Sequence, residues 1–262
     1  LEFEITPLPL QYTLVNGDYK KFQAHQWTKA GYVGGIKDFS GRLEKDDVKV
    51  KIEGESLFDE NDYEADVEIE KEDFGSFHLD FQQFRRYYSV QGGTYYPFTH
   101  LSSPTLDRDL FLDIGKLEVE AKLALPDLPE IDLYYEHEYK MGSKNRLTWG
   151  TVTQLAVTRK IAPSWQELHE DVDVFGFTVA GETHGFNLEG NQEWEISHSK
   201  SRRYERALGV LAGNSARTIT TQYLRPETKI MTTTLKGDRW YQNEKFYTST
   251  AYRFEHLVNE EK

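Results

Sequence analysis

The chain of 262 residues carries 44 acidic and 31 basic side chains, for a net charge of −13. This acidic balance argues against a nucleic-acid partner, because no basic stripe is present to neutralise phosphates. There is no cysteine, which excludes disulfides, thiolate metal ligands, a cysteine nucleophile and covalent attachment of haem through C-x-x-C-H. No run reaches the ~18 apolar residues of a transmembrane helix, although transmembrane strands would escape that test.

The N-terminal region gives few signals. The chain begins at Leu1 without a basic and apolar leader, so we expect that a signal peptide has been removed or that the sequence is a fragment. Residues 1–30 are predicted to form a periplasmic or luminal N-terminal segment. No Pro/Ser-rich linker divides the remainder, so residues 1–262 are predicted to be one domain.

Three predicted strands follow in the first third of the chain. Apolar and charged residues alternate over 48–55, 63–70 and 77–82, as in "VKVKIEGE" and "YEADVEIE". A period of two places apolar side chains on one face of an extended strand and charged side chains on the other. The sequence "FDEND" (58–62) predicts a turn between the first two of these strands.

Residues 116–140 give the clearest pattern. Leu117 and Val119 alternate with charged residues before the turn at 126–129, and Ile131 and Leu133 alternate with charged residues after it. The segment is therefore predicted to be a β-hairpin with one apolar and one charged face.

Further alternating segments bring the total to roughly ten predicted strands, at 33–44, 109–115 (continuing into 116–125), 172–181, 185–197, 217–224, 228–236 and 245–257. Helix signals are few. "PSWQEL" carries a capping-box pattern from Ser164 to Glu167, and 201–213 could form one or two helical turns. Consecutive strands without helices predict an all-β architecture of antiparallel hairpins.

Two all-β architectures remain possible, because both bury one face of each strand. Several predicted strands have ten or more residues, close to the ~9–11 residues that a membrane strand requires and longer than ordinary soluble strands. We therefore expect an antiparallel up-and-down transmembrane β-barrel, either complete and small or part of a larger one. The alternative is a soluble periplasmic or secreted β-sandwich that binds carbohydrate.

Aromatic residues near strand ends favour the barrel, because amphipathic rings prefer the level of the lipid headgroups. The predicted membrane-interface aromatics are Tyr87, Tyr88, Tyr95, Tyr96, Tyr134, Tyr139, Trp149 and Trp240. The predicted lipid-facing residues are Leu117, Val119, Ile131 and Leu133. On the opposite face, acidic residues such as Glu64, Asp66, Glu68 and Glu70 would line a watery lumen.

Four segments, 24–39, 58–98, 128–150 and 159–177, together resemble the N-terminal half of the outer-membrane β-barrels associated with multihaem cytochromes, the MtrB/PioB type. The similarity covers roughly residues 20–200 and rests on the spacing of turn signatures, such as Gly-Ser-Lys before Thr-Trp-Gly. This chain departs from the family in length and in lacking the N-terminal C-x-x-C of a known member.

The resemblance implies a porin-like sheath in the outer membrane of a Gram-negative bacterium. Such a sheath surrounds a multihaem c-type cytochrome, so that electrons cross the membrane. The expected partners are outer-membrane lipid and the cytochrome. The haem belongs to the partner, and this chain is expected to bind no cofactor covalently.

Enzymatic chemistry is not predicted. "EIDLYYE" (130–136) is similar to the E-x-D-x-x-E strand of jelly-roll glycosidases, but its last acid is displaced by one residue. The eight histidines form no H-x-x-x-H or H-x-H pair, so no metal site is expected. There is also no Ser nucleophile elbow, P-loop or dinucleotide fingerprint.

Overall fold

The structure is a computed structural model that describes residues 1–88, 109–154, 157–208, 217–241 and 245–261; the side chains at 147–164 and 204–221 lie outside this description. Its elements are β1 (Glu2–Thr13), α1 (Tyr19–Gln26), β2 (Gly31–Lys45), β3 (Val48–Leu57), β4 (Asp62–Lys71), β5 (Gly75–Tyr88), β6 (Leu110–Leu123), β7 (Glu130–Gln154), β8 (Val157–Thr183), β9 (Phe186–Leu208), β10 (Arg217–Leu224), β11 (Pro226–Tyr241) and β12 (Phe246–Glu261).

The twelve strands form one antiparallel up-and-down sheet in chain order, from β1 at one edge to β12 at the other. Strands β10 and β11 share one position beside β9. Leu224 of β10 pairs with Ser201 and Glu227 of β11 pairs with His198, so the register continues without a shift across Pro226. Proline has no N–H to donate to the ladder, which explains the break. Twelve strands therefore occupy eleven positions.

The turns at one end of the sheet are short. Turns of two, three and two residues connect β2 to β3, β4 to β5 and β8 to β9 at the end where β1 begins, here called the lower end. Asp46, Asp73 and His184 have positive φ in these turns, a conformation that Asn, Asp and His tolerate better than most residues. The connection 14–30 between β1 and β2 lies at the opposite end, here called the upper end, where β5 also ends and β6 begins.

Helix α1 is anchored at the upper end. Asp18 caps its N-terminus by accepting hydrogen bonds from the backbone N–H groups of Lys20 and Lys21 at 3.1 and 3.2 Å. Trp27, which ends the helix with a positive φ, stacks on Phe84 of β5 with ring centroids 6.3 Å apart. The region predicted to be a separate N-terminal segment thus contributes an edge strand and a helix to the sheet.

The period-two alternation predicted the strands well, and the all-β antiparallel up-and-down prediction is confirmed. The helix predictions at Ser164–Glu167 and at 201–213 were wrong over the described residues. Ser164 and Glu167 lie in β8, and β9 extends to Leu208. Strands β7 and β8 pair from Glu130–Ala180 to Gln154–Val157, and this long ladder of hydrogen bonds overrides the local capping signal.

The sheet is a single layer. In the described part of the chain, only five apolar side chains are buried: Val33, Leu110, Leu112, Trp165 and Leu168. Leu110 and Trp165 pack together with Tyr88 near the upper end. No second sheet covers the described strands, so they do not adopt the two-sheet sandwich considered as the alternative. The sheet is open, because β1 and β12 are not paired with each other.

Candidate functional site: the two faces of the sheet

One face of the sheet is largely apolar: a row across its eleven strand positions has apolar or aromatic side chains at nine of them, with a glycine and a histidine at the other two. The cross-strand register aligns one residue from each strand into a continuous row: Phe3, Gly41, Ile52, Val67, Leu79, Val119, Tyr135, Phe175, Trp194, Met231 and His256. Parallel rows on the same face contribute further apolar side chains, including Leu133 and Phe177. We call this surface the apolar face.

No other part of the described chain covers the apolar face. Ile52, Phe175 and Leu133 are 39, 40 and 54% exposed, although each has neighbours on both adjoining strands. Soluble monomers rarely leave a contiguous apolar patch of more than a few hundred Å² in water. A face of this extent therefore indicates a surface that contacts something apolar.

The residues next along each strand form the opposite, charged face. The row that directly follows the apolar one contains Glu2, Arg42, Lys51, Glu68, His78, Glu120, Tyr134, Gly176, Glu193, Thr232 and Glu255. Its polar and charged composition requires water or a polar partner, because an unpaired buried charge is costly. The sheet thus has one largely apolar face and one polar, charged face.

Five carboxylates face each other across five neighbouring strands on the charged face: Glu53, Asp66, Asp80, Glu118 and Glu136. Like charges directly opposite each other destabilise a sheet. Cations from adjacent rows offset part of this cost. Lys116 Nζ lies 2.6 Å from Glu118 and 3.1 Å from Glu136, and Lys51 Nζ lies 3.0 Å from Glu53.

On β7 and β8, a polar group interrupts the apolar face, which continues past it to Tyr139 and Met141 of β7. Tyr135 donates its hydroxyl hydrogen to Asp173 Oδ1 at 2.7 Å, and His137 Nδ1 lies 2.8 Å from the same oxygen. Asp171 precedes Asp173 by two residues in β8, on the side of the upper end, and its carboxylate lies 2.9 Å from His169 Nε2. These polar groups satisfy one another on an otherwise apolar face, which lowers the cost of placing them there.

The structure places the predicted lipid-facing residues together. Leu117 and Val119 on β6 lie on the apolar face with Ile131 and Leu133 on β7. Ile131 pairs with Leu123 and Leu133 pairs with Ala121, so the two strands form one apolar surface.

The predicted interface aromatics do not share one face. Tyr139 lies on the apolar face and donates a hydrogen bond to Gln83 Oε1. Tyr134 lies on the charged face, where its hydroxyl group donates to Glu193 Oε2 at 2.7 Å. Because they are consecutive in β7, Tyr134 and Leu133 cannot both contact lipid. In our account, Tyr134 therefore belongs to the charged face.

The remaining predicted aromatics lie near strand ends or outside the described residues. Tyr87 and Tyr88 end β5 on opposite faces, with Tyr87 opposite Phe111 and Tyr88 opposite Leu110. Trp240 lies near the lower end, 4.7 Å from the Tyr247 ring. Trp149 lies in β7, but its side chain is not described. Tyr95 and Tyr96 lie outside the described residues.

One cluster of metal-ligating side chains was not predicted. Asp66 and Glu68 of β4 and His78 of β5 offer three ligand atoms within 4.8 Å of one another. The spacing of histidines along the chain could not reveal this group, because its members meet through the β4–β5 register. The alternation did predict that Asp66 and Glu68 share the polar face.

The fold and its faces define a class: an antiparallel up-and-down sheet with one apolar and one charged face. In comparisons with known proteins, no family model, no curated protein and no solved structure matches the chain. Among the described residues, no helix is long and apolar enough to cross a membrane.

Proposed function

We propose that this chain forms the wall of an outer-membrane β-barrel in a Gram-negative bacterium, with the apolar face against lipid and the charged face toward an aqueous lumen. The observation that carries the proposal is the cross-strand row with apolar or aromatic side chains at nine of eleven positions, over which no layer of the described residues packs. In lipid, an exposed apolar face is stable, whereas in water it would be an aggregation hazard.

Strand length supports the proposal. Strands β5 to β9 contain 14 to 27 residues. Tilted membrane strands need ~9–11 residues to cross the hydrocarbon core. The longer strands are therefore long enough to cross the bilayer and to continue beyond it.

Strand direction constrains how such a barrel closes. In an up-and-down sheet with eleven positions, β1 and β12 run in the same direction. A direct pair between them would be parallel, whereas bacterial single-chain barrels are antiparallel with an even number of strands. An antiparallel closure would therefore place an odd number of additional strands between β12 and β1.

The sheath for a multihaem c-type cytochrome is the second step of the proposal. Its support is the sequence resemblance together with the polar lumen face, on which a water-soluble haem protein could be accommodated. In this role, the chain performs no chemistry. It insulates the partner's haems from lipid, and electron transfer proceeds through the partner alone.

Both steps can be tested with the native protein. Membranes are fractionated, the chain is extracted with detergent, and the visible spectrum of the purified assembly is recorded. We expect the chain in the outer-membrane fraction and a haem Soret band that co-purifies with it. Recovery from the soluble fraction would overturn the membrane proposal. Recovery from membranes without haem would overturn the cytochrome sheath and leave the barrel wall standing.

A further inference from the structure

The cluster of Asp66, Glu68 and His78 has the composition of a metal site. Two carboxylates and one imidazole place their ligand atoms within 4.8 Å of one another across the β4–β5 pair. Glu68 lies directly opposite His78 in the register, and Asp66 lies two residues away on the same face. Nitrogen and oxygen ligands of this kind suit divalent first-row transition ions, above all zinc.

An unsatisfied oxygen lies in the cluster. Asp66 Oδ2 is 2.7 Å from His78 Nε2, whereas Asp66 Oδ1 is buried and has no hydrogen-bond partner. A buried carboxylate oxygen without a partner is costly. A cation bound by this carboxylate would satisfy that oxygen, which the His78 contact does not.

The surrounding charge also favours a cation. Glu53 and Asp80 lie directly opposite Asp66, and Glu120 lies directly opposite His78. Lys51 lies opposite Glu68, but its ammonium group contacts Glu53 at 3.0 Å. Carboxylates thus outnumber the cations around the cluster, and the local potential is negative.

We propose that Asp66, Glu68 and His78 bind a zinc-class divalent ion, with water completing its coordination shell. The ion replaces the proton shared by Asp66 and His78 and is coordinated by both carboxylates and the imidazole nitrogen. This site depends only on the pairing of β4 and β5, so it stands or falls independently of the membrane proposal.

The experiment is zinc titration of the chelator-treated, folded full chain by isothermal calorimetry, followed by X-ray absorption of the zinc-loaded protein. We expect one site per chain, and a spectrum with one imidazole nitrogen and oxygen neighbours at ~2.0–2.2 Å. Asp66→Asn and His78→Gln should each weaken binding by at least about tenfold, because each removes a ligand.

The matched control is Glu70→Gln. Glu70 lies on the same strand and face, two residues beyond Glu68 and opposite Ser76. The substitution removes one negative charge without removing a ligand, so binding should change by less than about threefold. Circular dichroism checks that each variant retains its strands. Absence of zinc binding would overturn the site. Equal weakening of zinc binding in Glu70→Gln and His78→Gln would also overturn it, because zinc would then be attracted to the acidic surface in general.

Discussion

At the scale of single residues, buried polar contacts hold the upper end together. Glu60, in the turn between β3 and β4, is 9% exposed. Both of its carboxylate oxygens lie 2.9 Å from the backbone N–H of Lys29, in the connection that carries α1. Burial raises the pKa of this carboxyl, and the Lys29 hydrogen bond opposes only part of that shift. One acid thus links two segments that are 31 residues apart.

The raised pKa of Glu60 predicts a pH dependence of stability. The folded protein holds this proton at pH values where the unfolded chain has lost it, so the free energy of unfolding should increase as pH falls from 7 through the raised pKa toward the unfolded value of about 4.3. In Glu60→Gln, this contribution should be absent. Denaturant unfolding at several pH values measures the difference between the two proteins.

The control for this pH prediction is Asp59→Asn, a change to the neighbouring exposed acid, which contacts Lys29 Nζ at 3.3 Å. Asp59→Asn should keep the direction of the pH dependence, because Glu60 stays buried and burial is the largest cause of its raised pKa. If Glu60→Gln shows the same pH slope as the unmodified chain, Glu60 does not carry a coupled proton, and the account of this contact is wrong.

At the scale of the elements, alternation along the chain predicted the strands because each strand has one largely apolar and one polar face. Residues 116–140 show this most clearly, and β6 and β7 pair as the pattern predicts. Helix α1 was missed because its eight residues, "YKKFQAHQ", have little apolar periodicity. The Asp66–Glu68–His78 cluster was missed because the register that assembles it cannot be read from one strand.

In a bilayer, a new charge should lower the free energy of unfolding much more on the apolar face than on the charged face. Leu133 on the apolar face is 54% exposed. If this face were in water, Leu133→Arg would therefore change the free energy of unfolding only slightly. Near the bilayer midplane, the same change should lower the free energy of unfolding by about 2–4 kcal/mol. The measurement is denaturant unfolding of the protein refolded in lipid bilayers.

The matched variant is Ser76→Arg. Ser76 is exposed on the charged face, opposite Glu70 and Lys122. In bilayers, it should change stability by less than about 0.5 kcal/mol, as surface substitutions usually do. Equal, small effects of the two substitutions would indicate that both faces are in water.

At the scale of the whole molecule, the described strands form one layer with a largely apolar face and a charged face. The continuous apolar row, the charged row beside it and the scarcity of buried apolar side chains in the described part of the chain all follow from that arrangement. A soluble chain of this size would bury its apolar residues against each other. Sequence alone could not choose between the two, because alternation is the same whether a strand faces a second sheet or lipid.

The most direct test uses the absence of cysteine from the chain. Single cysteines are introduced along β7 in place of Glu130, Ile131, Asp132, Leu133, Tyr135 and Glu136. Each is labelled with a nitroxide in protein reconstituted into bilayers, and spin-label relaxation is measured with oxygen and with a water-soluble nickel complex. The account predicts high oxygen accessibility at 131, 133 and 135 and low oxygen accessibility at 130, 132 and 136. Nickel accessibility that is high and equal at all six positions would contradict it.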